Sequence, residues 1–410
     1  MKDFAALGVL PVFAEKLVGR GITRPTEIQR LAIPPLLEGR SIVFRSATGT
    51  GKTFAWLIPA LQRLLADIDC SAPGDDTAPG DGAAAGKRHL PYRGPRVLIC
   101  APSYELCSQI KAEIDFLTSS ENIPAGSLPS ALLIGSVNLN RQIDSLKKGK
   151  PLIAVGNPGR LLTLAKMGKL KFRDLNFFVL DEADRLTADD SREESDELLR
   201  LIARETSGLV IAACSATVSA KTSEQLLSLR MEAAFIETDE QEILREKIEH
   251  WAIFSESRRK VQTLRSFLAA AKPGKALIFI GRSDEAEKIA SQLQYHHISA
   301  AALSGNTDKK NRKEAIDGFR SGKIKALVSS DLAARGLDIP GLSHVIALHV
   351  PADSEVYIHR AGRTARAGKR GIMVSIGDEI EMRRLAALEK KLGIIVRPKE
   401  LYQGKVCDPE

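Results

Sequence analysis

Short apolar runs alternate with longer amphipathic stretches along most of the chain. SIVFRS (41–46), RVLICA (96–101), LIAVG (152–156), FFVLDE (177–182) and LVIAACSA (209–216) have the pattern of buried strands in the first half. ALIFIG (276–281), IKALVSS (324–330), HVIALHV (344–350) and GIMVSI (371–376) have it in the second. Near-continuous apolar runs of this length suit strands covered on both faces, and the helix-period stretches between them predict crossover helices over parallel sheets. The rhythm runs on both sides of a polar zone, TDEQEILREKIEH (238–250), which predicts a linker. The expected organisation is two tandem α/β domains, 1–237 and 251–400, followed by a short tail, 401–410. EIEMRRLAALEKKLG predicts a last helix and IIVRP a last strand. Residues 69–94, rich in Gly, Pro, Ala and Asp, break the rhythm. Such a stretch buries too little apolar surface to offset its ordering entropy, so a flexible surface insertion is expected there.

Composition narrows the class. The 410 residues are 44% hydrophobic and 27% charged, the mix of a globular protein. No run approaches the roughly 18–20 apolar residues of a membrane-spanning helix. The start, MKDFAALGVLPVFAEKL, carries Asp3 and Glu15 and lacks the order of a secretory leader. Five cysteines form no CxxC pair and, being odd in number, no disulfide framework, so thiols packed or idle in a reducing cytoplasm are expected. The net charge of +8 is uneven: from Ala252 to Glu400, 27 Lys and Arg stand against 16 Asp and Glu. A basic second half favours a polyanionic partner, because neutralising phosphates releases counterions.

Two motifs carry candidate chemistry. Ser46, Ala47, Thr48, Gly49, Thr50, Gly51, Lys52 and Thr53 lie between the strand SIVFR and the helix-like FAWLIPALQRLL. Small residues there let backbone N–H groups close around phosphate oxygens, Lys52 supplies a point charge, and the Thr53 hydroxyl can ligate Mg²⁺. Ser46 stands where the general pattern asks for Gly. The second motif is Asp181-Glu182-Ala183-Asp184, directly after the apolar FFVL. An acid at such a strand end is where the magnesium water shell of a phosphate-loop enzyme lies, and Glu182 can polarise a water for attack on the γ-phosphate.

With these in place the chain resembles a DEAD-box RNA helicase over almost its whole length. Gly21 to Gln29 (GITRPTEIQ), with Ile22, Arg24 and Gln29, is similar to the family's adenine-reading Q motif, and Phe4 stands where the family keeps an isolated aromatic. The phosphate loop, the DEAD tetrad and Ser215-Ala216-Thr217 follow in order. SDLAARGLD (330–338) is similar to motif V and HRAGRTAR (359–366) to motif VI. The resemblance implies two RecA-like domains, each a mostly parallel sheet with helices on both faces. It implies ATP as substrate, Mg²⁺ as cofactor and RNA as partner. It assigns charge stabilisation at the γ-phosphate to Arg363 and Arg366, and contacts near ribose and phosphates to Gly336 and Asp338. Coupling of hydrolysis to domain closure falls to Asp184, Ser215 and Thr217, the last two doubling as caps for a helix at 219–229. RNA-backbone contacts fall to Pro102, Ser103, Gly135, Asn157, Pro158, Gly159 and Arg160, and to Arg282, Gly305, Arg312, Ser330 and Asp331.

The departures cluster. Ile22 replaces an aromatic; Tyr104, Ser136 and Asn157 replace Arg, Gly and Thr; Ala365 replaces Gly. They predict altered RNA binding beside an intact ATPase. Three functions stay open on sequence: a helicase that separates short RNA duplexes, an ATP-gated RNA clamp or assembly scaffold, and a DNA helicase on the same core. Targeting to a particular RNA falls to the core, the insertion or a protein partner.

Overall fold

The computed structural model describes residues 2–45, 50–69, 92–119, 123, 128–186, 192–215, 233–237, 244–304, 307–331, 341–365 and 370–409. The expected flexible insertion thus lies almost wholly outside the described residues, as does the helix expected at 219–229. The chain divides into two compact units that change over between residues 238 and 239.

In the first unit, β1 (Ile42–Arg45), β2 (Val97–Cys100), β3 (Ser130–Leu133), β4 (Ile153–Gly156), β5 (Phe177–Asp181), β6 (Val210–Ser215) and β7 (Ala234–Glu237) form one sheet in the order β3-β4-β2-β5-β6-β1-β7. Every pairing in it is parallel. Alternate residues along each strand feed separate cores. Val97, Ile99, Phe177, Val179, Ala212 and Cys214 face one core, and Leu98, Cys100, Phe178, Leu180, Ile211 and Ala213 face the other. Apolar side chains on both faces explain why these strands read as continuous runs. Helix Lys52–Asp69 packs Ala55, Trp56 and Leu57 into the first core.

The second unit contains β8 (Ile248–Phe254), β9 (Ala276–Phe279), β10 (Ala300–Leu303), β11 (Ala326–Ser329), β12 (His344–Ala347), β13 (Gly371–Gly377) and β14 (Val396–Pro398), ordered β10-β11-β9-β12-β13-β8-β14 and again parallel. Counted within each unit, both sheets run third, fourth, second, fifth, sixth, first, seventh. The two halves share one topology.

Six strands were not expected. β3 and β10 are matching edge strands of four residues, and β7 is mostly exposed, so none has an extended apolar run. The zone read as a linker over 238–250 ends inside β8, whose polar Glu249 and half-buried Trp251 mask the strand. The stretch read as a tail carries an antiparallel hairpin, β15 (Glu400–Tyr402) and β16 (Lys405–Cys407).

Candidate functional site

Ligand sites of parallel α/β sheets form beyond the carboxyl ends of the strands, where loops and helix N-termini converge. In the first unit that edge divides in two. The ends of β5, β6 and β1 carry the acidic tetrad, Ser215 and the phosphate loop. The ends of β2, β3 and β4 carry Pro102-Ser103, Gly135 and Asn157 to Arg160. Three adjacent strands carry the candidate nucleotide residues and three of the other four carry the candidate RNA residues.

Of the phosphate loop, Thr50 to Thr53 are described, and Ser46, Ala47, Thr48 and Gly49 lie outside the described residues. Helix Lys52–Asp69 has no acidic residue in its first turn, so its N-terminal N–H groups and Lys52 present positive potential at this strand edge. Gly51 has φ +88°, and a Cβ there would lie 2.5 Å from Gln29 Nε2. Gln29 is buried. Its Oε1 accepts from Thr26 N (3.0 Å) as part of a capping box on helix Glu27–Leu37, and its Nε2 donates to Gly51 O (3.1 Å). The expected adenine reader therefore also ties the helix start to the phosphate loop. Ile22 is half-buried against the core, Phe4 is fully buried within it, and exposed Arg24 lies 3.7 Å from Asp3.

Asp181 ends β5 and is only 4% exposed. Its Oδ1 accepts from Glu182 N (3.0 Å) and from Cys214 Sγ (2.9 Å). Burial pushes this carboxyl up to about 6; the Cys214 bond and Lys52 oppose the rise, and neighbouring Glu182 adds to it. Glu182 takes the left-handed conformation (φ 54°), which costs a non-glycine residue roughly 1–2 kcal/mol. Its Oε2 forms an ion pair with Arg185 Nη1 at 2.8 Å, off hydrogen-bond alignment. Asp184 N donates to Ser215 Oγ at 3.4 Å, so the tetrad and the end of β6 are joined through backbone as well as side chain. Thr217 lies outside the described residues.

Among the RNA candidates, Ser103 caps helix Tyr104–Thr118 by accepting from Leu106 N, and Tyr104 is exposed. Pro158 opens helix Pro158–Lys166, and the buried Asn157 Oδ1 has no hydrogen-bond partner. The Arg160 guanidinium donates to Val137 O (3.0 Å), Gln142 Oε1 (2.8 Å) and Gly135 O (3.0 Å), so it holds the Gly135–Val137 loop in place. A Cβ on Gly159 would lie 2.6–2.9 Å from the Glu194 carboxylate, which rests against this helix start.

In the second unit, Arg282 follows β9 and pairs with Asp284 (2.8 Å), while Arg312 lies in helix Lys309–Ser321 after β10. Ser330 and Asp331 follow β11. Both Asp331 oxygens accept from buried Arg360, at 2.7 and 2.6 Å, and Arg360 also donates to His349 O. Asp331 thus anchors helix Ser354–Ala361, which leads into buried Arg363. These candidates follow the second, third and fourth strands of their sheet, the positions used in the first unit. Gly305, Gly336, Asp338 and Arg366 lie outside the described residues.

Sequence reasoning overlooked Cys214, Arg185 and Arg360. Arg185 stands three residues after Glu182 in a helical turn, a spacing that was available as a signal. Cys214 and Arg360 acquire their partners only through strand register and tertiary packing.

Comparison with known proteins agrees with this geometry. The DEAD/DEAH box helicase family profile matches residues 26–226, and the helicase conserved C-terminal domain profile matches 259–368. The chain is 33% identical over 388 residues to the DEAD-box ATP-dependent RNA helicase CshC of Bacillus cereus, covering 95% of this chain and 91% of that one. It is 29% identical to the ATP-dependent RNA helicase SrmB of Haemophilus influenzae, covering 95% and 83%. Its fold is similar to that of S. cerevisiae Dbp5 bound to RNA and ADP BeF3, with TM-score 0.79, 25% identity and coverage of 97% and 96%.

Proposed function

The chain belongs to the DEAD-box helicase family, and from that premise we propose that it couples ATP binding and hydrolysis to the local separation of short RNA duplexes. The observation that carries this reading is the placement of Lys52, Asp181 and Glu182 at the ends of β1 and β5, the two strands that flank β6, near enough for the Lys52 charge to oppose the rise that burial imposes on the Asp181 carboxyl.

The roles follow from local surroundings or, for Arg363 and Arg366, from the family resemblance alone. Lys52 and the N-terminus of its helix bind the outer phosphates. Glu182, held by Arg185, orients the attacking water and accepts its proton. Arg363 and Arg366 are the cations that the family resemblance assigns to the charge on the γ-phosphoryl oxygens. Gln29 reads adenine with the amide capacity left by its two internal bonds. Thr53 and Asp181 fit Mg²⁺, which takes one or two protein oxygens and otherwise water and phosphate; Asp181 is a desolvated carboxylate at a strand end. Bound there, the ion would neutralise phosphate charge.

RNA is gripped along its backbone by the loops after the second, third and fourth strands of each sheet. The basic second half favours that partner, and backbone contacts make binding independent of sequence. A cytoplasmic location accords with the free thiols of the four described cysteines.

A native-gel assay of strand release from a short RNA duplex tests the reading. ATP-dependent release of a free strand is expected, with no release under ATP plus EDTA. RNA-stimulated hydrolysis without strand release would instead establish the clamp, a reading favoured by the commitment of Arg160 to its own loop and by Tyr104 in place of a cation. Equal stimulation by matched DNA would overturn RNA as the substrate.

A further inference from the structure

Cys214 has no part in the mechanism above, yet its surroundings are specific. It stands opposite Asp181 in the parallel register of β5 and β6, so both side chains project from the face packed by helix Lys52–Asp69. The residue is fully buried, and Sγ lies 2.9 Å from Asp181 Oδ1. A carboxylate only accepts, so the thiol is the donor. Glu182 N donates to the same Oδ1 at 3.0 Å.

We propose that Cys214 is a positioning residue for Asp181: its S–H bond, together with the Glu182 N–H, fixes Oδ1 against the sheet and leaves Oδ2 as the oxygen that would hold magnesium. The inference rests on the ATP and magnesium reading above. The terminal torsion of an aspartate is broad and nearly two-fold, so a carboxylate held by one donor exchanges its oxygens more freely than one held by two. The next residue, Ser215, lies on the opposite face of β6 and accepts from Asp184 N. Two consecutive residues of one strand therefore brace the first and last acids of the tetrad, a thiol on one and a hydroxyl on the other. An apolar side chain at 214 leaves the buried Oδ1 with a single donor. A serine keeps the donor.

The test uses the full chain and a fluorescent N-methylanthraniloyl-ATP probe, titrated with MgCl₂ and separately bound in EDTA. In Cys214→Val the half-saturating Mg²⁺ concentration is expected to rise by about tenfold, as for loss of an outer-shell partner of a metal ligand. Affinity in EDTA should stay unchanged, and Cys214→Ser should return the Mg²⁺ dependence close to that of wild type. An unshifted Cys214→Val, or equal shifts in the valine and serine variants, would overturn the proposal. Asp181→Asn separates the layers. If it abolishes the Mg²⁺ dependence while Cys214→Val does not shift it, only the role of Cys214 fails; if wild type shows no Mg²⁺ dependence, the underlying reading fails and the proposal with it. An infrared difference spectrum of wild type against Cys214→Ser is independent of how the valine variant folds. It should show an S–H stretch displaced to low frequency, whereas a stretch typical of an unbonded thiol would contradict the bond.

Discussion

A carboxylate sealed at the end of a strand resists ionising, and the fold pays for that at Asp181, whose acidity shifts from an ordinary 3.8 to about 6. The native state therefore holds this proton more tightly than the unfolded chain. Stability from this group is fully present below pH 4 and is lost as pH rises through 6. Asp181→Asn removes the penalty. In EDTA at pH 7.5 the variant should unfold with a higher Tm, by on the order of 1–3 kcal/mol in stability, and the gain should fade as pH drops from 6 to 4. Calorimetry of both proteins across that range checks it, and an equal or lower Tm at pH 7.5 would contradict it. At this scale the sequence was informative only where a residue's role follows from its immediate neighbours. Asp181 and Glu182 stand out because acids begin directly after four apolar residues. The Cys214 bond and the double engagement of Gln29 join residues 33 and 22 positions apart, and no local pattern encodes them.

Elements explain why some parts of the fold were legible and others not. Central strands buried on both faces, such as β2 and β5, appear as unbroken apolar runs. Edge strands face solvent or need only small residues, so SALL of β3 and AAAL of β10 carry little signal. Helix starts are encoded by their caps, as with Thr26 and Gln29 or Asp378 and Glu381. The start of helix Pro158–Lys166 is different. It has no acid in its own first turn and no side-chain cap bond, and Glu194 from helix Arg192–Glu205 rests beside it. A phosphate approaching that positive helix end meets the carboxylate first. Glu194→Gln is expected to tighten single-stranded RNA binding about two- to fivefold at low salt, with a smaller gain at high salt. Fluorescence anisotropy at two salt concentrations measures this, and unchanged or weaker binding would exclude the competition.

Across the whole molecule, the same strand order recurs in both units, and in each the candidate RNA residues follow the second, third and fourth strands. The two-domain α/β plan was readable from strand and helix rhythm, but the identity of the two orders was not, because strand order depends on which crossovers pack together. The charge does not repeat with the topology: between Ala252 and Glu400, 27 basic residues stand against 16 acidic ones, whereas the candidate phosphate loop and acidic tetrad belong to the first half of the chain. The central claim is that RNA switches on ATP hydrolysis that depends on Glu182. Steady-state hydrolysis with and without single-stranded RNA, for wild type and Glu182→Gln, tests it most directly. The account predicts strong stimulation of wild type by RNA and a loss of at least about 10²-fold in the variant, the usual scale for removing a general base. Hydrolysis indifferent to RNA, or a variant as fast as wild type, would contradict it.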